Sequence, residues 1–175
     1  MIESKEEVIC FATYIMHTFF MDNNIEPLIN AMSDDIIWLG SGRSQIATGK
    51  ANVARFFIEG KDDLSPCLFT DENYDVIILN DYDAICQGYA YMDTYPDNEV
   101  RIHEFQRVTF VFHKGEEGFK IKHLHHSIAY EGMEDEKLFP IQYGKQRFQE
   151  LQNELKDGLR SIKGWKDLAT SKADK

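Results

Sequence analysis

The sequence predicts one α+β domain with an antiparallel sheet, followed by a C-terminal helix. Three observations support this: helical apolar spacing near the N-terminus, a succession of alternating strand segments after it, and a polar C-terminal tract with heptad spacing. The chain has 175 residues, 43% apolar and 13% aromatic. That length supports one sizeable core. We expect the domain at residues 1–140 and a helix, which could be a coiled-coil linker, at 141–175.

The N-terminal part is predicted to be helical. The first helix, over residues 5–21, carries apolar side chains at helical spacing: Val8, Phe11, Ala12, Ile15 and Phe19. A second, short helix is expected over residues 25–32, where Pro27 stands in the first turn. A short β segment is expected at residues 35–39, and a third helix over residues 50–59.

From Leu68 onward the sequence has the pattern of successive strands. Four segments are expected: residues 74–79, 83–91, 101–113 and 119–130. Turn-forming residues separate them: Asn80-Asp81, Tyr95-Pro-Asp-Asn98 and Lys114-Gly-Glu-Glu-Gly118. Because such short connections join antiparallel neighbours, we predict a meander.

After Pro140 the composition becomes polar and apolar residues follow a heptad pattern. The apolar positions are Phe148, Leu151, Leu155, Ile162, Trp165 and Ala169. Gly158 occupies one core position and weakens the pattern. Two interpretations stay open: a helix that folds back on the domain, or a projecting coiled coil.

Charge and composition argue against several functional classes. Nineteen basic and thirty acidic residues give a net charge of −11, with no basic cluster, so we expect no nucleic-acid partner and no membrane partner. The longest apolar stretch is too short and too interrupted to span a bilayer. Cys10, Cys67 and Cys86 have no metal-like spacing and fit a reducing compartment, so we expect a cytoplasmic protein.

The last predicted hairpin carries the most specific pattern. It reads Arg107-Val-Thr-Phe-Val111, a glycine-bounded turn, and then Phe119-Lys-Ile-Lys-His-Leu-His-His-Ser127. With the order of elements, this pattern resembles the SnoaL-like branch of the nuclear transport factor 2-like superfamily, which includes the association domain of calcium/calmodulin-dependent kinase II. The segments Trp38-Leu-Gly-Ser-Gly42 and Thr48-Gly49-Lys50 also fit that branch.

The resemblance spans about residues 5–130 and implies a cone-shaped fold. In such a fold a curved antiparallel sheet wraps around the N-terminal helices and leaves a pocket at the open end. The superfamily includes isomerases, cyclases, dehydratases, assembly modules and sensor domains. The resemblance is therefore specific for the fold and not for the function.

Strand alternation predicts which side chains face this pocket. If Lys120 and Lys122 face water, the other face carries Phe119, Ile121, His123, His125 and Ser127. The same assignment on the preceding strands adds His103, Phe105, Arg107 and Thr109, and then Ile85, Gln87, Tyr89 and Tyr91. The predicted ligand-binding residues are Arg107, His123, His125, Ser127, His103, Trp38, Tyr89 and Tyr91, with Trp38 at the mouth.

One structural feature would change this assignment. A one-residue bulge in the last strand would exchange His123 and His125 for Leu124 and His126. Without such a bulge, His126 is expected to face away from the pocket, and Glu104 is expected to face outward.

Arg107 is the principal ligand-binding candidate. A guanidinium in a half-apolar cavity suits a carboxylate or phosphate, and the resemblance implies a small anion there. The alternative is a structural ion pair with Glu104, Asp93 or another acidic neighbour.

His123 and His125 could project to one face as metal ligands do. The family carries this motif without metal, so we expect structural histidines and neither a metal nor another cofactor.

An isomerase or cyclase would need a general base and a hydrogen-bond donor in the pocket. His103, His123 or His125 could be the base, and Tyr89 or Tyr91 could be the donor. Since no spacing fixes such a pair, the sequence assigns no catalytic residue.

Two functions remain open. The first is a non-catalytic domain that binds a small anionic or aromatic molecule and dimerises, as the sensory input domain of a bacterial signalling protein. In support, the end of the chain at 169–175 resembles the linker helix that leads into diguanylate cyclase domains. The second is a stand-alone SnoaL-like enzyme, an isomerase, cyclase or dehydratase, that acts on a small hydrophobic carbonyl compound.

The homodimer of the first function has two candidate interfaces. One is a second apolar sheet face, formed by Val108, Phe110, Phe112, Leu124 and Ile128. The other is the heptad pattern of the C-terminal helix. A fold in which that helix covers the sheet face would need no second copy.

Overall fold

The computed structural model describes residues 1–61, 66–94, 103–129 and 140–161. The chain divides into two compact units, Met1–Ala129 and Tyr130–Lys175. Three sequence features lie outside the described residues: the turn at 95–98, the heptad positions Ile162, Trp165 and Ala169, and the linker-like end at 169–175.

The first unit begins with the predicted helices. Helix α1 spans Lys5–Phe20 and helix α2 spans Glu26–Ala31. Ser4 caps α1, because its side chain accepts a hydrogen bond from the backbone N–H of Glu7. Helix α3 spans Lys50–Gly60 and buries Val53 and Ala54.

Six strands form one sheet. They are β1 (Met32–Leu39), β2 (Ile46–Thr48), β3 (Cys67–Ile78), β4 (Asp83–Thr94), β5 (His103–Gly115) and β6 (Gly118–Ile128). The order across the sheet is β2-β1-β6-β5-β4-β3. Strands β3 to β6 form the predicted antiparallel meander, which confirms the α+β class.

The sheet is mixed because β1 pairs with β6 in parallel. The short strand β2, which the sequence analysis did not identify, pairs with β1 in the antiparallel direction. A three-residue strand with one buried side chain has too short a pattern for alternation to reveal.

The core lies between α1 and the inner face of the sheet. Phe110, Phe112 and Ile121 are fully buried there, with Val8 and Ile15 of α1. The Phe11 ring stands edge-on to Phe112, with 5.4 Å between the ring centroids. Aromatic contacts of this kind fix α1 on the sheet.

A bulge in β6 determines which side chains face this core. Val111 pairs with His123, whereas Phe112 pairs with Ile121, so Lys122 has no cross-strand partner in β5. The extra residue reverses the facing of the rest of the strand. Ile121 and Leu124, three positions apart, therefore both bury their side chains.

The bulge corrects the predicted pocket row on β6. Phe119 and Ile121 lie on the inner face as expected, but His123, His125 and Ser127 lie on the outer face, in register with Val111, Thr109 and Arg107. The inner positions are Leu124, His126 and Ile128, as the bulge alternative stated.

The assignment on β4 and β5 is also reversed. Val108, Phe110 and Phe112 face the core rather than a second copy of the chain, because these large apolar side chains pack against α1. His103, Phe105, Arg107 and Thr109 therefore lie on the outer face, with Ile85, Gln87, Tyr89 and Tyr91 beside them. The prediction that Glu104 faces outward was wrong, because Glu104 lies on the same inner face of β5 as Gln106.

The second unit contains helix α4, Ile141–Ser161, within the predicted C-terminal helix. Three predicted heptad side chains are exposed: Phe148 at 62%, Leu151 at 42% and Leu155 at 65%. They stand at steps of three and four residues and so form one apolar stripe. Arg147 forms ion pairs with Glu150 at 3.1 Å and Glu154 at 3.4 Å on the same helix.

A search of the described helices for a membrane-spanning segment finds none that is both long and apolar enough.

A glycine in β4 gives a test of the packing between β3 and β4. A Cβ atom at Gly88 would lie 2.2 Å from Cδ1 of Tyr74, whose hydroxyl donates a hydrogen bond to Glu72. We expect Gly88→Ala to lower the free energy of unfolding by about 1–3 kcal/mol, because the Tyr74 ring must move. Urea denaturation measures the change.

Gly60→Ala is the matched control, because no atom lies within 4 Å of a Cβ at Gly60. Its unfolding midpoint should stay the same or rise slightly. Equal midpoints for the Gly88 variant and the wild type would show that the Tyr74 ring does not exclude a side chain at position 88.

Candidate functional site

The central cavity of the first unit has a volume of about 500 Å³ and lies between the helices and the inner face of the sheet. Its walls are mainly aromatic, with side chains from α1, β1, α3 and β5: Phe19, Phe20, Trp38, Phe56, Phe57 and Phe110. This size and lining are typical of small-molecule sites.

The aromatic wall is held by contacts among its own rings. The Trp38 ring centroid lies 5.1 Å from that of Phe56 and 5.2 Å from that of Phe57. Phe57 in turn contacts Phe19 at 5.4 Å. Since the rings come from β1, α3 and α1, they join three elements into one apolar surface.

Trp38, which the sequence analysis expected at the mouth of the pocket, lies in the cavity wall and is only 6% exposed. Within the described residues, its buried indole Nε1–H has no hydrogen-bond partner. A buried donor without a partner costs about 1–3 kcal/mol.

The loop after β1 brings polar groups to one side of the cavity. Gly40 and Gln45 are joined by a backbone hydrogen bond of 2.8 Å, and the Gln45 side chain accepts another of 2.8 Å from the Gly42 N–H. A Cβ atom at Gly40 would lie 2.6 Å from the Trp38 ring, so this close approach requires glycine. The loop places Ser41 and Gln45 on the cavity wall.

His126 completes this polar side. Its Nδ1 lies 3.4 Å from Ser41 Oγ, and its Nε2 hydrogen-bonds Oε1 of the buried Gln106. Burial, with a smaller contribution from nearby His125, lowers the pKa of His126 to about 4. The imidazole is therefore neutral at pH 7.

The central cavity carries no ionised side chain. Among the residues described, no Lys, Arg, Asp or Glu lines it, and its polar side chains are Ser41, Gln45 and the neutral His126. Charged groups lose hydration in such surroundings without gaining a partner. The cavity can thus hold an uncharged, largely apolar molecule with a few hydrogen bonds.

Four of the predicted ligand-binding residues gather elsewhere. Tyr89, Arg107, His125 and Ser127 line a second cavity of about 590 Å³ on the outer face of the sheet. Arg107 is exposed, and its Nη2 donates a hydrogen bond of 3.1 Å to the Ile128 carbonyl. The guanidinium therefore does not enter the apolar cavity for which an anion was predicted.

The three remaining predicted residues line neither cavity. His103 Nδ1 hydrogen-bonds Asp93 at 2.5 Å, and the His103 ring stacks on Tyr91 with centroids 5.0 Å apart. Burial and the neighbouring His125 lower the pKa of His123. In the described ranges no three His, Cys, Asp or Glu side chains are grouped as metal ligands.

The sequence analysis missed most of the central cavity. Ser41 and Gln45 were not among its candidate residues, and His126 was named only as the alternative that a bulge in the last strand would bring inward. The signal for His126 was that the apolar residues Ile121 and Leu124 stand three positions apart. Both can face the core from one strand only if a bulge lies between them, and His126 then shares the face of Leu124.

A comparison with protein families identifies the chain. Residues 12–131 match the SnoaL-like domain, which is more than half of the chain. The chain belongs to the SnoaL-like domain family. The SnoaL-like domain thus includes α1 from residue 12 onward and the whole sheet.

Solved structures share the fold of this SnoaL-like domain. An NTF2-like protein of unknown function from Pseudomonas putida has a TM-score of 0.62 at 18% identity, over 77% of this chain and 92% of that one. A proposed dehydratase of the NTF2-like family from Streptomyces avermitilis has a TM-score of 0.62 at 15% identity, over 71% and 95%.

The predicted resemblance to the kinase association domain is also found among solved structures. A proposed calcium/calmodulin-dependent protein kinase II association domain from Xanthomonas campestris has a TM-score of 0.60 at 18% identity, over 75% of the SnoaL-like chain and 91% of its own. No curated protein sequence matches the chain. At these identities the structures establish the fold alone.

The pKa of His126 predicts a pH dependence of stability. The ordinary histidine pKa is about 6.5, so below that pH the unfolded chain binds a proton that the folded chain excludes until about pH 4. Above pH 6.5 the imidazole is neutral in both states, and stability is lost progressively as the pH drops from 6.5 toward 4. Replacing His126 by Gln should reduce the loss of stability between pH 7 and 4.5 by on the order of 2 kcal/mol.

Chemical denaturation at a series of pH values measures this difference. From pH 7 to 4.5 the wild type should lose more stability than His126→Gln, so the difference in unfolding free energy between the two should change by that amount. Parallel curves would contradict the assignment of a buried, neutral imidazole.

Proposed function

We propose that this SnoaL-like domain is a non-catalytic binding domain for a small, uncharged, aromatic or apolar molecule, which enters the central cavity. The observation that carries the proposal is a 500 Å³ cavity with aromatic walls and no ionised lining side chain among the described residues. Such a site gains binding free energy by removing apolar surface from water.

The aromatic part of the predicted ligand fits this cavity and the anionic part does not. A carboxylate would lose its hydration beside Phe56, Phe57 and Trp38, and Arg107 lies on the other face of the sheet. The neutral His126 supplies no positive charge at pH 7.

Two naphthalene probes with the same ring system test the charge preference. We expect 2-acetylnaphthalene to stabilise the wild type in a thermal-shift assay and 2-naphthoate to have little effect. A ligand at one hundred times its Kd adds about 2.7 kcal/mol, which corresponds to a shift of several degrees. A shift with the carboxylate that Arg107→Ala removes would instead support the anion site.

Cavity-blocking variants locate the bound probe. Ile128 lines the cavity and is 39% exposed, so Ile128→Trp should abolish the shift without disturbing the core. Ile77→Trp is the matched control, because Ile77 is 55% exposed and lines neither cavity. An equal effect of both variants would place the probe elsewhere.

Dimerisation through α4 is the second part of the proposal. Phe148, Leu151 and Leu155 expose an apolar stripe on this helix. A stripe with heptad spacing is buried when two helices pair. The inner sheet face is filled by the protein's own core, so it is no longer a candidate interface.

Charge substitution in the stripe tests the dimer. In analytical ultracentrifugation we expect the wild type to sediment as a dimer and the double variant Leu151→Glu/Leu155→Glu as a monomer, because buried like charges repel. Gln152→Glu/Asn153→Glu adds the same charge beside the stripe and should remain dimeric. A dimeric stripe variant would place the interface elsewhere, and a monomeric wild type would contradict the proposed dimer.

We further propose that the domain is a sensory input module of a bacterial signalling protein located in the cytoplasm. A ligand cavity in one unit and a helix with a dimerisation stripe in the other provide the two parts that such a module needs. The sequence similarity of residues 169–175 to the linker of diguanylate cyclases supports this role.

A second candidate is a SnoaL-like enzyme that acts on a small hydrophobic carbonyl compound. The observation that favours it is His126, a possible proton acceptor in the cavity with Ser41 beside it. A relative in fold is a proposed dehydratase. With a pKa of about 4, however, this imidazole is a weak base, which favours the binding function.

The probe 2-acetylnaphthalene also distinguishes these two functions. If the domain only binds the probe, the methyl protons of 2-acetylnaphthalene exchange in D₂O no faster than they do in buffer alone. Exchange that His126→Gln removes would establish the enzyme.

A further inference from the structure

One hydrogen-bond acceptor in the central cavity is incompletely satisfied. It is Nδ1 of His126, on the polar side of the cavity beside Ser41. The protonation of this imidazole can be worked out from its neighbours, and it indicates which chemical group the ligand carries.

A chain of hydrogen bonds fixes the tautomer of His126. Nε2 of Gln106 donates to the carboxylate of Glu104 at 3.4 Å, so Oε1 of the same amide is the acceptor that faces His126. With the amide in this orientation Oε1 can only accept, so the proton of the neutral imidazole lies on Nε2 and is donated to that oxygen. Nδ1 then carries a lone pair and can only accept.

Ser41 satisfies this lone pair only in part. Its hydroxyl has one proton, and two acceptors of His126 lie at the same distance of 3.4 Å, Nδ1 and the main-chain carbonyl oxygen. The proton can serve one of them at a time, and both distances are long for an O–H donor. A ligand that donates to Nδ1 would leave the Ser41 proton to the carbonyl.

We propose that the ligand of the central cavity carries an uncharged hydroxyl group, phenolic or alcoholic, which donates a hydrogen bond to Nδ1 of His126. The inference rests on the proposed binding function, since it specifies the molecule bound in that cavity. An ammonium donor is disfavoured because no carboxylate lines the cavity among the described residues. The ligand is thus an apolar body with one hydroxyl.

Two matched probes test the hydroxyl directly. At pH 7, 2-naphthol can donate to Nδ1, whereas 2-methoxynaphthalene has the same rings and cannot. Isothermal titration of the full chain should give about five- to tenfold tighter binding of 2-naphthol, the ratio that one net hydrogen bond provides.

Two variants identify the acceptor. His126→Phe keeps a ring of similar shape but removes Nδ1, so the two probes should bind equally. Ser41→Ala changes an exposed side chain and removes the competing donor, so the preference for 2-naphthol should be kept or increase. Thermal unfolding of each variant verifies that it is folded, and the Ser41 variant tests the assignment if the His126 variant is not.

Each outcome has a distinct meaning. Equal binding of both probes to the wild type overturns the hydroxyl inference and leaves the binding function intact. A preference that Ser41→Ala abolishes assigns the contact to Ser41 and overturns the role of His126. If neither probe nor 2-acetylnaphthalene binds, the proposed binding function itself is wrong and the inference is wrong with it.

Discussion

The rest of the first unit depends on one unpaired residue in β6. Lys122 has no partner in β5, and its side chain reaches across to Asp35 of β1 at 2.6 Å. The bulge lets Ile121 and Leu124 both face the core, and it directs His126 inward and His125 outward. Without the extra residue, His123 and His125 would line the cavity in place of Leu124 and His126.

The distribution of charge between the two faces follows from this arrangement. Outward positions hold His103 and Asp93, which pair with each other, and Arg107, which donates to a main-chain carbonyl. The inward positions that line the central cavity hold mainly apolar side chains and one imidazole, which stays neutral because protonation would place a charge in the apolar interior. The neutral cavity and the polar outer face are two consequences of one strand register.

Membership of the SnoaL-like family and the chemistry of the site are separate conclusions. The family match and the structural neighbours establish the fold, which accommodates many functions. The choice between binding and catalysis depends on local groups: Ser41, Gln106 and the weakly basic His126. The apolar stripe of α4 is independent of that choice, because it belongs to the other unit.

The sequence by itself determined the α+β class, the three N-terminal helices, the meander of β3 to β6 and the family resemblance. These follow from local periodicity, turn residues and a contiguous motif, which are all readable along one segment of chain. The tertiary structure decided which face of the sheet is internal, because the position of a bulge depends on pairing with β5 and β1. It also decided that Ser41 meets His126, since residues 85 positions apart approach only when β1 and β6 pair.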